Sequence, residues 1–115
     1  MYKYDELAIE KALKEVSIEG VFQDELPEYL YTVNDFLCFG FPKESAENVL
    51  DYMFECLGIL EYEITEEDDH DYYNTVLINA YHSICAVALE IIKEYKEYIS
   101  YYKESNVEQL MNISW

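Results

Sequence analysis

The chain has 115 residues, with 25 Asp and Glu against 7 Lys, no Arg, and a formal net charge of -18. Binding to nucleic-acid phosphates and to anionic membrane surfaces relies on clustered Lys and Arg, so this balance argues against direct contact with either. The hydrophobic share is 51% and the aromatic share 17%, enough for one core in one domain spanning 1–115 and too much for intrinsic disorder; with only 3 Gly and 2 Pro to punctuate turns, an all-α fold is predicted.

In chain order, Asp5 to Val16 places Ala8, Ala12 and Val16 at i, i+4, i+8 beside Ile9 and Leu13, the pattern of a first amphipathic helix, with Gly20 just past its end. A second helix starts near Pro27, a favoured first helical residue, carries Leu30, Val33, Phe36 and Leu37, and is stopped by Gly40-Phe41-Pro42. A third is predicted from Glu44 to Leu57, where Ala46, Val49, Leu50, Met53, Phe54 and Leu57 repeat at helical spacing and Gly58 stands as the C-terminal cap. Ile59 to Ile64 reads as an extended connector. Thr65 offers an N-cap, with Glu66, Glu67 and Asp68 in the following turn. From there the helical pattern runs through Tyr73, Leu77, Ala80, Ile84, Val87, Ile91, Tyr95, Tyr98 and Tyr102 to Lys103 with no Gly or Pro. Unbroken, it would be roughly 55 Å long, beyond the diameter of a compact domain, so it must kink or project. Ser105 or Asn106 would cap a short last turn. The expected architecture is a bundle of four to five helices with a long C-terminal helix as its spine.

Cys38, Cys56 and Cys85 each lie in an apolar run, as small core hydrophobes do. Their odd number and the absence of a C-x-x-C pair argue against a disulfide framework or a structural zinc site, and no cofactor is expected. No apolar stretch follows a basic region at the N-terminus, so the cytoplasm is the expected location.

The charge is unevenly spread: residues 1–71 hold 20 acids against 4 Lys, and residues 72–115 hold 5 against 3. Its densest part is Glu61, Glu63, Glu66, Glu67, Asp68, Asp69 and Asp71, which with the adjoining Tyr72 and Tyr73 form the predicted partner-binding segment. Tyr72 to Leu89, by contrast, contains no Asp, Glu, Lys or Arg. Its length reaches the lower limit for a membrane span, but its Asn, Thr, His and Ser content marks a buried central helix instead. Thr75, Asn79, His82 and Ser83 at i, i+4, i+7, i+8 make an uncharged polar stripe. Together with Tyr95, Tyr98 and Tyr102 at i, i+3, i+7, it suggests self-association as a homodimer, set against an internal hydrogen-bonded seam and tyrosines at the core boundary.

Enzyme-like patterns are sparse. Glu67-x-x-His70 has the spacing of one half of a carboxylate-bridged di-iron site but no second copy. His70-Asp71 lacks the upstream histidine of an HD-type phosphohydrolase, and no G-x-S-x-G or phosphate-cradling Gly loop exists. Glu44-x-x-Glu47 followed by Glu66-x-x-Asp69 resembles the paired E-x-x-E and E-x-x-D helices of all-α nucleotide pyrophosphohydrolases of the MazG type, which gather Mg²⁺ against a triphosphate. Here Lys43 alone is nearby to hold phosphates.

In size, acidity and lack of a catalytic motif, the chain resembles small phage-encoded anti-defence inhibitors, the anti-CRISPR and anti-restriction proteins that mimic DNA. The resemblance is compositional and covers the whole chain without a shared motif. It implies a non-enzymatic protein whose carboxylates stand in for phosphates on a basic, nucleic-acid-handling partner. An immunity protein or antitoxin against a nuclease toxin would work by the same physics.

Overall fold

The computed structural model describes residues 6–19, 25–66, 71–100, 102 and 104–111. Five α-helices account for most of them: α1 Glu6–Glu19, α2 Leu26–Phe39, α3 Ala46–Glu66, α4 Asp71–Glu94 and α5 Glu104–Met111. Two short 3-10 turns, Lys43–Ser45 and Lys96–Tyr98, precede α3 and follow α4. Among the described residues there is no strand. α1 packs on α2 and α4, and α3 packs on α2 and α4, so the first four helices close a square; α5 lies on α4. Short connections between neighbours make this an antiparallel bundle.

Each element follows from its apolar spacing. Ala8, Ile9, Ala12 and Val16 of α1 and Leu26, Leu30 and Val33 of α2 are buried. Pro27 sits in the first turn of α2. Gly40 ends that helix at φ 80°, ψ -175°, a backbone region essentially reserved for glycine, with its N–H donating to the Phe36 carbonyl at 2.9 Å. α4 is the central helix. Along it Leu77, Ala80, Tyr81, Ile84, Cys85 and Ala88 are fully enclosed, as its uncharged sequence requires. It is also the one described helix long and apolar enough to cross a membrane, with 61% of that stretch buried against the rest of the bundle. α5 is fastened by the buried Val107 and by the Tyr81 hydroxyl, which donates to the Leu110 carbonyl at 3.4 Å.

Four boundaries differ from the sequence expectation. Gly58 does not cap α3: the helix runs on for two more turns and Ile59 to Ile64 is helical, not an extended connector. A mid-helix glycine costs about 1 kcal/mol relative to alanine. Leu60 and Ile64 extend the buried stripe of Val49, Met53 and Leu57, and each such side chain gains roughly 1.5–3 kcal/mol on burial, so continuation wins. Thr65 therefore lies inside α3 rather than at an N-cap, and the next described helix starts at Asp71.

The long helix is not C-terminal and does not reach Lys103. It stops at Glu94 with Tyr95 at φ -115°, ψ 36°, and Ile99 is extended at φ -123°, ψ 121°. At 1.5 Å per residue, 24 residues span about 36 Å, which fits the 43 Å long axis of the molecule. No Gly or Pro forces this break; contacts to Phe41, in the turn before α3, and to Glu47 and Phe54 of α3 hold the segment in its new path. The Tyr95 ring meets Phe41 at 5.7 Å, Ser100 hydrogen-bonds Glu47, and Tyr102 stacks on Phe54 at 4.5 Å. Ser105 and Asn106 fall inside α5 rather than capping it.

Candidate functional site

The acidic segment Glu61 to Asp71 is divided by the fold. Glu67, Asp68, Asp69 and His70 lie outside the described residues; Glu66 ends α3 and Asp71 begins α4. Glu61 is half-buried, and Tyr72 is 69% exposed. Glu63 and Tyr73 do not belong on a partner-facing surface. Both are buried, and the Tyr73 hydroxyl donates to Glu63 Oε1 at 2.8 Å, joining α3 to α4 across the connection between them. A buried carboxyl is retained where hydrogen bonds replace its hydration, and the phenol supplies one.

The most regular acidic surface is elsewhere, on the outer face of α3, where Asp51 and Glu55 are exposed and Glu47 is half-buried. Glu47, Asp51 and Glu55 stand at i, i+4, i+8 and therefore share one face, about 6 Å apart along the axis. Gly58 and the exposed Tyr62 continue that face, and the exposed Tyr52 borders it. Each of the three carboxylates accepts a hydrogen bond from a segment flanking α3. Glu47 Oε2 takes the Ser100 N–H at 2.5 Å and the Ser100 hydroxyl at 3.1 Å. Asp51 Oδ1 takes the Tyr102 hydroxyl at 2.6 Å, and Glu55 Oε2 takes the Tyr29 hydroxyl at 2.5 Å. The tyrosines are themselves placed by packing: Tyr102 lies flat on Phe54, with 19° between the rings, and Tyr29 meets Tyr52 at 5.1 Å.

Neutral hydroxyl donors fix a carboxylate in position without cancelling its charge. The negative potential of the row registers on the donors. The hydrogen bond to Glu55, then burial and the charges of Glu55 and Glu25, push the Tyr29 phenol up to about 12. Burial, then the hydrogen bond to Asp51 and the charges of Asp51, Glu47 and Glu55, push Tyr102 up to about 12 as well. Tyr102 senses all three members of the row. The i, i+4, i+8 spacing of Glu47, Asp51 and Glu55 was present in the sequence; charge density alone draws attention to the later segment instead.

The residues expected to mediate self-association differ in exposure. Thr75 and Asn79 are exposed on α4, His82 is half-buried, and Ser83 is buried. Burial lowers the pKa of His82 below its ordinary value. Tyr95, Tyr98 and Tyr102 share no helical stripe, because α4 has ended before them. Tyr95 packs on Phe41 and Tyr102 on Phe54, leaving Tyr98 as the exposed member at 40%.

The two acidic pairs resembling a pyrophosphohydrolase site are not brought together. Glu47 and Glu66 lie near opposite ends of the single helix α3, about 28 Å apart at 1.5 Å per residue, too far to chelate one ion. Among the described residues no group of three or more His, Cys, Asp and Glu has metal-holding geometry. Cys56 and Cys85 are enclosed in the core, and burial pushes both thiols up to about 12, so neither is a thiolate nucleophile at neutral pH. Cys38, expected in the core, is instead exposed near the end of α2, one residue before the 84% exposed Phe39. Comparison with protein-family models, with curated proteins and with solved structures found no match to this chain.

Proposed function

We propose that this protein is an acidic binding protein that inhibits a larger, nucleic-acid-handling partner by occupying its cationic surface, in the manner of anti-CRISPR and other DNA-mimic proteins. The single observation that carries this reading is the row Glu47, Asp51 and Glu55, regularly spaced on a rigid helix and held in register by Ser100, Tyr102 and Tyr29. A phosphate backbone presents the same character: regularly spaced negative charges on a stiff support. The remaining charge of the chain adds long-range steering toward a basic partner, which raises the association rate and falls with ionic strength. The exposed Tyr52 and Tyr62 beside the row supply apolar contact area with few rotatable bonds. Glu61, near the far end of α3, and Tyr72, at the start of α4, extend the same front in this reading.

The experiment is affinity capture from a host lysate at low salt, with elution by rising salt, using the native chain and the charge-neutral variant Glu47→Gln/Asp51→Asn/Glu55→Gln. The expected result is a basic nucleic-acid enzyme retained by the native chain, displaced from it by DNA, and lost with the variant. Equal retention by both, or no competition by DNA, overturns the assignment.

A further inference from the structure

We infer that the cleft between the 3-10 turn before α3 and the end of α4 binds a small anion carrying more than one phosphate group. The cleft has a volume of about 460 Å³ and is lined by Lys43, Lys93 and Lys96, three of the seven lysines of the chain, with Tyr95 and Tyr98. Its size falls in the range of about 300–1,000 Å³ usual for small-molecule sites. Glu94 and Glu97 also reach its lining, so three ammonium groups stand against two carboxylates, and among the described residues no ion pair ties any of the three lysines.

The lysines are gathered from two separate segments by specific packing. Gly40 turns the chain, Pro42 at φ -65° starts the 3-10 turn that carries Lys43, and the ring of Phe41 meets that of Tyr95 at 5.7 Å. That aromatic contact brings the turn carrying Lys43 against the end of α4, so that Lys43, Lys93 and Lys96 line one cleft. The end of α4 is held in turn by Tyr98 N–H donating to the Tyr95 carbonyl at 3.0 Å and Ile99 N–H donating to the Lys96 carbonyl at 3.3 Å.

The donor set selects the ligand class. Lysine ammonium groups act as mobile point charges and suit compact, multiply charged anions, whereas planar carboxylates are held best by the bidentate fork of arginine, which this chain lacks. Tyr98, 40% exposed, adds a ring face on which a base can stack, so a nucleotide fits the lining as well as inorganic pyrophosphate. This inference is independent of the acidic row and stands whether or not that row binds a partner.

The test is titration of the native chain with inorganic pyrophosphate and, separately, with ADP, followed by calorimetry and by NMR signals of the lysine side chains. Saturable binding is expected, weakened about tenfold or more in Lys43→Gln/Lys93→Gln/Lys96→Gln. Lys11→Gln/Lys14→Gln, which alters exposed lysines of α1 outside the cleft, should bind as the native chain does and controls for the loss of lysine charge elsewhere on the chain; circular dichroism verifies that both variants fold. ADP binding more tightly than pyrophosphate supports a nucleotide site using Tyr98, and equal affinities support a site for the phosphates alone. Non-saturable shifts, or equal affinity in the native chain and the triple variant, overturn the inference.

Discussion

Gly58 and Gly40 should respond to alanine in opposite directions. Gly58 lies inside α3 on its exposed side; a Cβ built there meets nothing within 4 Å, and Gly40 is the one described glycine with positive φ. Gly58→Ala therefore changes backbone entropy and helix propensity with no clash, a stabilisation of about 0.5–1 kcal/mol. For 115 residues, an unfolding entropy of about 2.1 cal/mol/K per residue gives about 240 cal/mol/K, so the melting temperature should rise by about 2–4 °C. Gly40→Ala also meets open space, but it places a Cβ in a conformation at φ 80° that non-glycine residues reach only at about 1–3 kcal/mol, a fall of about 4–12 °C. Thermal unfolding followed by circular dichroism at 222 nm measures both. A destabilised Gly58→Ala would refute continuous helix through residue 58 and restore a helix end there. An unchanged Gly40→Ala would refute the glycine-only turn.

Three further outcomes follow from the packed groups. A thiol reagent should modify one cysteine, Cys38, in the native protein and all three in denaturant, because Cys56 and Cys85 are buried with thiols pushed up to about 12; modification of two or three native thiols would contradict the core assignment. Tyr73→Phe removes a hydrogen bond from the buried Glu63 and should cost about 1–3 kcal/mol in urea unfolding, whereas Tyr72→Phe, on an exposed ring, should change stability by less than about 0.5 kcal/mol; equal effects would place Tyr73 at the surface. Tyr29 and Tyr102 ionise near 12 when folded against about 10 when unfolded, so their contribution to stability is intact below pH ~10 and is lost as pH rises toward 12. Asp51→Asn should move the Tyr102 ionisation, read by tyrosinate absorbance, back toward 10, and no movement would remove Asp51 from its surroundings.

Much of the bundle is legible in the amino-acid sequence because burial imposes a period. The stripes of α1, α2 and the first part of α3, and the uncharged run that becomes α4, are read directly from spacing. The boundaries that differ are those where a long-range contact overrides a local signal. Gly58 has the local signature of a helix end, yet Leu60 and Ile64 find core partners beyond it. Tyr95 to Ser100 has no breaker, yet the Phe41 ring and the Glu47 carboxylate hold that segment out of helix. The site shows the same division. Glu63 counts as one more acid in a run of acids, and only the fold turns it inward onto Tyr73. The row on α3 is a sequence pattern, but its hydroxyl donors come from 26, 51 and 53 residues away, separations at which spacing carries no information.

Those distant donors separate two ways in which the α3 row can contribute to binding, by charge alone or by charge already held in place. An exposed Glu or Asp samples several rotamers, and fixing a side chain at an interface costs about 0.5–1.5 kcal/mol. Tyr102 and Tyr29 order Asp51 and Glu55 before any partner arrives, so replacing both tyrosines by phenylalanine leaves the net charge untouched and restores the ordering cost. Two side chains correspond to about 1–3 kcal/mol, or roughly a 5- to 150-fold loss of affinity for the captured partner. Because the charge is the same, the salt dependence of binding should keep its slope, and the loss should appear in the dissociation rate rather than in the association rate. Kinetics measured by surface plasmon resonance across a salt series distinguish the cases. Unchanged affinity in Tyr29→Phe/Tyr102→Phe, with weakening only in the charge-neutral variant, would mean that the row acts through its field alone and that its fixed register carries no binding energy.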